Sequence, residues 1–199
     1  MDSKSQPNRR RSRRAHEAIL AATTSLLEAK GYNGLSIEAV AAQAEVGKQT
    51  IYRWWPSKAA LVMEAYSAMV ASEITIPDSG RLEEDLYRLF EQIFSRLSSS
   101  GFGKAIAGLL TEAQTDPVLA AEFLDGFVDR RRNVVHQLLK KGLERGEVAP
   151  EADLGIAVDS LFGSMWYRLL IGHAPLDKQF AKSLAKQLLV GIAPLRVNP

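Results

Sequence analysis

SIEAVAAQAEVGKQTIYRWWPSK, residues 36–58, holds two short helical patterns separated by three residues. Ser36 has the chemistry of an N-cap, and Ile37, Val40, Ala41 and Ala44 recur at helical spacing as the inward face of a first helix. Ala39 stands where a full capping box would place Glu or Gln, so the cap is partial. Glu45, Val46 and Gly47 break the pattern. A second helix runs from about Lys48 to Trp55 and is stopped by Pro56. In it Ile51 and Trp55, four apart, point inward, while Lys48, Gln49, Tyr52, Arg53 and Trp54 stay outside. A helix that only built a core would not carry so many polar groups. One that only met solvent would not need two tryptophans. Two short helices with this connection have the spacing of a helix-turn-helix.

In such a unit the first helix braces the second, whose N-terminal residues enter the major groove of DNA. Lys48 and Gln49 stand at that start, where Gln pairs with adenine and Lys with guanine. Thr50 offers a methyl to thymine and a hydroxyl to phosphate. Tyr52, Arg53 and Trp54 reach phosphates and sugars, which fixes register rather than reading sequence. Ser36 opens its helix where backbone N–H groups can meet a phosphate, and Ser57-Lys58 repeats that arrangement with a cation added.

Outward from this stretch every pattern is helical. Residues 1–12 are polar and aperiodic and read as a flexible basic arm. Arg9, Arg10, Arg11, Arg13 and Arg14 could lie along the DNA backbone or in a minor groove. From Arg13, Ile19, Ala22, Leu26 and Leu27 mark a helix ending at Lys30-Gly31. Ser57 caps another, with Leu61, Val62 and Ala65 on its apolar side. Leu82, Leu86, Leu89, Phe90, Ile93 and Phe94 mark the next, and residues 102–114 one more. Asp116-Pro117 supplies an N-cap and N1 proline for a long helix through Phe123, Phe127, Val134, Leu138 and Leu139 to Gly146. Asp153 opens a helix to Gly172 that is apolar almost all round, and the last begins near Leu176 with Phe180, Leu184 and Leu188 four apart. No segment alternates with period two. The chain therefore reads as all-α with about nine helices. Its expected domains are the arm (1–12), an N-terminal three-helix DNA-binding domain with the helix-turn-helix (13–60), and a larger helical ligand-binding and dimerisation domain (61–199).

Composition agrees. Of 199 residues 46% are apolar and 24% charged, enough to bury a core. The net charge of +2 hides an asymmetry. Residues 1–60 carry ten Lys and Arg against five Asp and Glu, a net of +5; residues 61–199 carry fifteen against eighteen, a net of −3. A basic third on a mildly acidic body points to a polyanion partner for that third alone. There are no cysteines, which excludes disulfides, thiolate metal sites and a cysteine nucleophile and fits a cytoplasmic location. No run of about 18 apolar residues occurs, so no membrane span is expected, and the basic start lacks the apolar stretch of a signal peptide. His16, His136 and His173 are scattered, with no metalloprotease spacing, phosphate loop or nucleophile elbow, so neither enzyme chemistry nor a metal or cofactor is expected.

The run Ile37-x-x-Val40-Ala41-x-x-Ala44-x-Val46-x-x-x-Thr50-Ile51-Tyr52-x-x-Trp55-x-Ser57-Lys58-x-x-Leu61 resembles the DNA-binding domain of TetR-type repressors. The resemblance covers about the first 65 residues, and the helical remainder fits the family's regulatory domain in layout. Two positions depart from it. Glu45 stands where the family usually has a turn glycine, and Trp54-Trp55 where it usually has Tyr-Phe or His-Phe. The resemblance implies a homodimer that binds double-stranded DNA at a palindromic operator, with half-sites about 34–36 Å apart or a multiple of this. It also implies a small-molecule inducer in the C-terminal domain that spreads the two reading heads.

Helix 153–172 is too apolar for one stripe. It is either a central core helix or, as the resemblance favours, pairs with 177–191 across an isologous four-helix bundle. Phe90, Phe94, Phe102, Leu109, Phe123, Phe127, Met165 and Trp166 could line an apolar ligand cavity, though aromatics at helical spacing are more often plain core. The alternative function is a constitutive or architectural DNA binder without a ligand.

Overall fold

The computed structural model describes residues 6–73, 75–98 and 101–194; the side chains of 6–11 and 69–73 lie outside that description. Its α-helices are α1 (Gln6–Gly34), α2 (Ile37–Gln43), α3 (Lys48–Tyr52), α4 (Lys58–Glu73), α5 (Leu82–Ser98), α6 (Phe102–Ala113), α7 (Pro117–Phe123), α8 (Arg130–Glu144), α9 (Leu154–Ile171) and α10 (Lys178–Ile192). Among the described residues there is no strand. Packing divides the chain into two units, α1–α4 with α6 and α7, and α5 with α8–α10. The boundary expected at residue 60 falls inside α4, whose residues to 72 belong to the first unit.

In the first unit α1 begins at Gln6, not near Arg13, so residues 6–12 are helix rather than aperiodic arm. Arginine is a good helix former, and Pro7 sits in the first turn, where its missing N–H is no loss. The arginines at 9–11 have side chains outside the described residues, and so has all of 1–5. Gly31, at φ 69° and ψ 179°, breaks α1 where the sequence places its end, and a short second helical stretch runs on to Gly34. Ile19, Leu26, Val40, Ile51, Leu61, Val62 and Leu109 are buried together in this unit's core. α1 packs along α6, and Gly101 at the head of α6 lies against the backbone carbonyl of Glu28. Tyr66 stacks on Phe102 with centroids 4.8 Å apart, and Phe123 on Phe127 at 4.8 Å.

Tyr32, 5% exposed near the end of α1, has its hydroxyl pushed from 10.0 up to about 12, by burial first and then by Glu112, Asp116 and Glu122. A raised folded value means the neutral phenol is preferred in the fold. Its contribution is fully present below pH 10 and lost as the pH rises to 12. The wild type is thus expected to lose about 2–3 kcal/mol more stability than Tyr32→Phe over that window. Urea unfolding of both proteins at stepped alkaline pH checks this; parallel losses would refute it.

In the second unit α5 packs most extensively on α10, and α8 on α5 and α9. Leu82, Leu86, Phe90, Phe94, Leu139 and Leu161 are fully buried there. The first N–H of α5, on Leu82, finds the Glu147 carboxylate at 2.8 Å, and buried Asp85 accepts from the Ser79 N–H at 2.7 Å. Phe94 and Phe180 stack at 5.3 Å.

The long helix expected over 117–146 is present, capped by Asp116 as expected, but π-helical over Leu124–Asp129. Leu119, Phe123 and Phe127 are buried at successive spacings of four. An α-turn of 3.6 residues would carry that row steadily around the helix. A wider π-turn keeps Phe123 and Phe127 on one side, where their rings stack.

α9 bears on the expectation that no segment spans a membrane. Leu154–Ile171 has the length and hydropathy to cross a bilayer. Yet it carries Asp159, paired with Arg132, and Arg168, which donates to the Pro175 carbonyl at 2.8 Å. It is capped by Asp153 and closed by left-handed Gly172, and Ala157, Val158, Leu161, Phe162 and Met165 are buried within its unit. Ile156, Tyr167, Leu170 and Ile171 are exposed.

Candidate nucleic-acid interface

The reading unit is built in three steps. Ser36 caps α2 by accepting the Ala39 N–H at 3.2 Å. At the other end the Glu45 N–H meets the Ala42 carbonyl at 3.3 Å and the Val46 N–H meets that of Ala41 at 3.0 Å, a Schellman closure. Its C′ residue, Glu45, is left-handed at φ 54°, the only non-glycine with positive φ among the described residues. A side chain there costs roughly 1–2 kcal/mol. Because glycine also loses entropy on folding, Glu45→Gly is expected to stabilise by only about 1 kcal/mol. A thermal melt that moves down instead of up would refute it.

α3 then starts at Gly47-Lys48 and is short, ending at Tyr52 rather than Trp55. Beyond it the N–H groups of both Trp54 and Trp55 return to the Ile51 carbonyl, at 3.0 and 2.9 Å. Ile51 at 0% and Trp55 at 2% exposure are the inward anchors, as their spacing predicted. The outer face holds Lys48, Gln49, Tyr52 and Arg53, all exposed, with Thr50 half-buried beside them. These five residues and the exposed cap Ser36 therefore come from one compact unit.

Two predicted contacts are less free than the sequence implied. Lys48 Nζ is 3.0 Å from Glu38 Oε1. Glu38's own backbone N–H, and after it Lys48, hold its carboxyl below the ordinary value. Lys58, half-buried at the start of α4, lies 4.1 Å from the centroid of the Tyr32 ring and 3.4 Å from the Tyr32 carbonyl. Ser57 caps that helix through the Ala60 N–H at 2.9 Å.

Trp54 is half-buried, not simply outward. Its ring meets His16 at 5.1 Å and Trp55 at 5.5 Å edge-on, with the Arg53 guanidinium 5.3 Å from its centroid. Sequence reading missed His16 of α1, Glu64 of α4 and Glu38 of α2 as neighbours of these groups. No local signal marks them, because none belongs to the helical pattern of α3.

The residues expected to line a ligand cavity fall in both units. Phe102, Leu109, Phe123 and Phe127 belong to the core of the first, and Phe90, Phe94 and Met165 to that of the second, where Trp166 is half-buried. No cluster of metal-ligating side chains occurs among the described residues.

Known proteins resemble this chain over most of its length. Residues 19–65 match the family model of bacterial regulatory proteins of the tetR family, and residues 76–188 that of the tetracyclin repressor-like C-terminal domain. The chain is 31% identical over 188 residues to the uncharacterised HTH-type transcriptional regulator YdeS of Bacillus subtilis, covering 94% of each. It is 28% identical to the DNA-binding transcriptional repressor TetR of Mycobacteroides abscessus, over 87% of this chain and 90% of that one. The crystal structure of the TetR family transcription regulator SCO0332 superposes with a TM-score of 0.79 at 32% identity, covering 90% of this chain and 99% of that one. With an exposed, cation-bearing reading face on a buried hydrophobic anchor, the chain belongs to the TetR family and is a DNA-binding helix-turn-helix transcriptional regulator.

Proposed function

We propose that the protein is a homodimeric repressor that reads a palindromic operator and is released from it by a small-molecule inducer. The observation that carries this is the outer face of α3. Lys48, Gln49, Tyr52 and Arg53 are exposed over Ile51 and Trp55, which are not. Lys48 and Gln49 read base edges; Ser36, Thr50, Tyr52, Arg53, Trp54 and Lys58 position the backbone. The DNA-reading function belongs to residues 13–60 and the ligand and dimer functions to 61–199. An operator partner places the protein in the cytoplasm.

Dimerisation runs through α9 and α10. Ile156 and Ile171 of α9 are each 62% exposed and Val190 of α10 69%, too much apolar surface to leave in water. A groove of about 470 Å³ between the two helices, lined by Ile156, Ser160, Ser164, Leu184, Leu188 and Gly191, is shaped to receive a partner helix. The inducer is an apolar molecule held by some of the buried aromatics among Phe90, Phe94, Phe102, Leu109, Phe123, Phe127, Met165 and Trp166.

The test is selection of duplexes from a random pool by the purified protein at fixed salt. A palindromic consensus with half-sites one helical turn apart, or a multiple, supports the repressor. Weak, salt-sensitive binding without a consensus would favour the architectural alternative. On the selected duplex Gln49→Ala should lose about 1–3 kcal/mol at one base position per half-site and there alone. A loss spread over every sequence would reassign Gln49 to the backbone.

A further inference from the structure

We infer that Glu64 and His16 are positioning residues for DNA reading, and that one carboxylate sets the pose of the Arg53-Trp54-Trp55 segment. Neither touches the outer face of α3. Glu64 lies on α4 and His16 on α1, yet both meet the segment that leaves α3. Glu64 Oε2 accepts the Trp55 Nε1–H at 2.7 Å, and Glu64 Oε1 lies 3.0 Å from His16 Nε2. His16 in turn lies 4.8 Å from the Trp55 ring and 5.1 Å from that of Trp54. Arg53 rests against Trp54. The chain of contacts runs from Glu64 through both aromatic neighbours to the guanidinium proposed to hold the DNA backbone.

The chemistry explains why an acid stands there. The Trp55 indole N–H and a ring nitrogen of His16, from separate parts of the chain, converge on one group, and a carboxylate offers an oxygen to each. Glutamine would accept from one donor and turn its own NH₂ toward the other. A carboxylate with a 47% exposed side chain also repels approaching phosphates. A merely solvated acid at this place would weaken DNA binding; the Trp55 hydrogen bond and the His16 contact instead tie it to the reading segment. Backbone bonds to the Ile51 carbonyl hold the main chain of this segment, and the side-chain partners act on where its rings lie once α3 has ended at Tyr52.

The inference rests on the operator reading, and the test separates the two. Wild type, Glu64→Ala, Glu64→Gln and His16→Phe are titrated against the duplex that the wild type selects and against a random duplex of equal length, at one salt concentration. Urea midpoints report folding. Tryptophan emission is followed in a Trp166→Phe background, so that only Trp54 and Trp55 are seen. Glu64→Ala should weaken the selected duplex about tenfold and leave the random one unchanged or tighter. Its emission should shift as the Trp55 N–H loses its partner. Glu64→Gln, which keeps one acceptor, and His16→Phe, which keeps the ring, should each recover part of the discrimination. If Glu64→Ala discriminates as well as wild type, or loses both duplexes in parallel with its urea midpoint, the inference is overturned. A wild type without any preferred duplex overturns the operator reading, and this inference with it.

Discussion

Trp55→Ala is expected to cost the fold about 3–5 kcal/mol, the range for emptying a large buried aromatic site. The indole is 2% exposed and closes the core behind Ile51, which is 0% exposed. It also donates to Glu64 at 2.7 Å. Removing it leaves a cavity beneath the reading helix and deprives the carboxylate of a donor. At roughly 2–4 °C per kcal/mol for a chain of this size, the melting temperature should fall by about 6–20 °C. Trp55→Phe keeps most of the volume and loses the hydrogen bond, so a fall of about 1–2 kcal/mol is expected. Thermal melts by far-UV circular dichroism decide it. An alanine variant melting within a degree or two of wild type would mean that Trp55 is not the anchor its burial indicates.

The second large effect is expected at Gly101, where α6 begins. A Cβ on this residue would overlap the backbone carbonyl oxygen of Glu28 and come within 2.9 Å of its carbon. A flexible side chain could swing aside, but a carbonyl inside α1 cannot without breaking helical hydrogen bonds. Gly101→Ala should therefore force α6 away from α1 at about 3 kcal/mol, the upper part of the usual range for overpacking. Gly108→Ala, on the same helix, is the control. Its Cβ would lie at an ordinary 3.6 Å from Tyr32 Cβ, so about 0.5–1 kcal/mol of gained helix propensity should show as added stability. A large fall in melting temperature for Gly101→Ala beside a small rise for Gly108→Ala would support the close approach; two small and similar shifts would refute it.

Much of the reading helix was legible because its signals are local. The four-residue spacing of Ile51 and Trp55 predicts their inward direction, and both are buried. Ser36, Asp116 and Asp153 cap the helices they were expected to open, since a cap acts within three residues of itself. The polar face of α3 followed by elimination. Its short length did not, because Arg53 and Trp54 are good enough helix residues that only their partners show where the helix stops.

The sequence by itself thus determined the helical class, the helix-turn-helix and which side chains of α3 lie on its exposed face. Caps, periodicity and breakers each depend on a handful of consecutive residues. Tertiary structure alone decided what those side chains lean on. Lys48 is held by Glu38, Lys58 by Tyr32, and Trp54 by His16. It also decided that α6 and α7 pack with the DNA-reading helices, and that a π-turn divides the long helix. Each of these joins residues distant in the chain or depends on how rings stack once helices have met. No local propensity specifies such contacts, because their energy exists only after the chain has closed the loops between them.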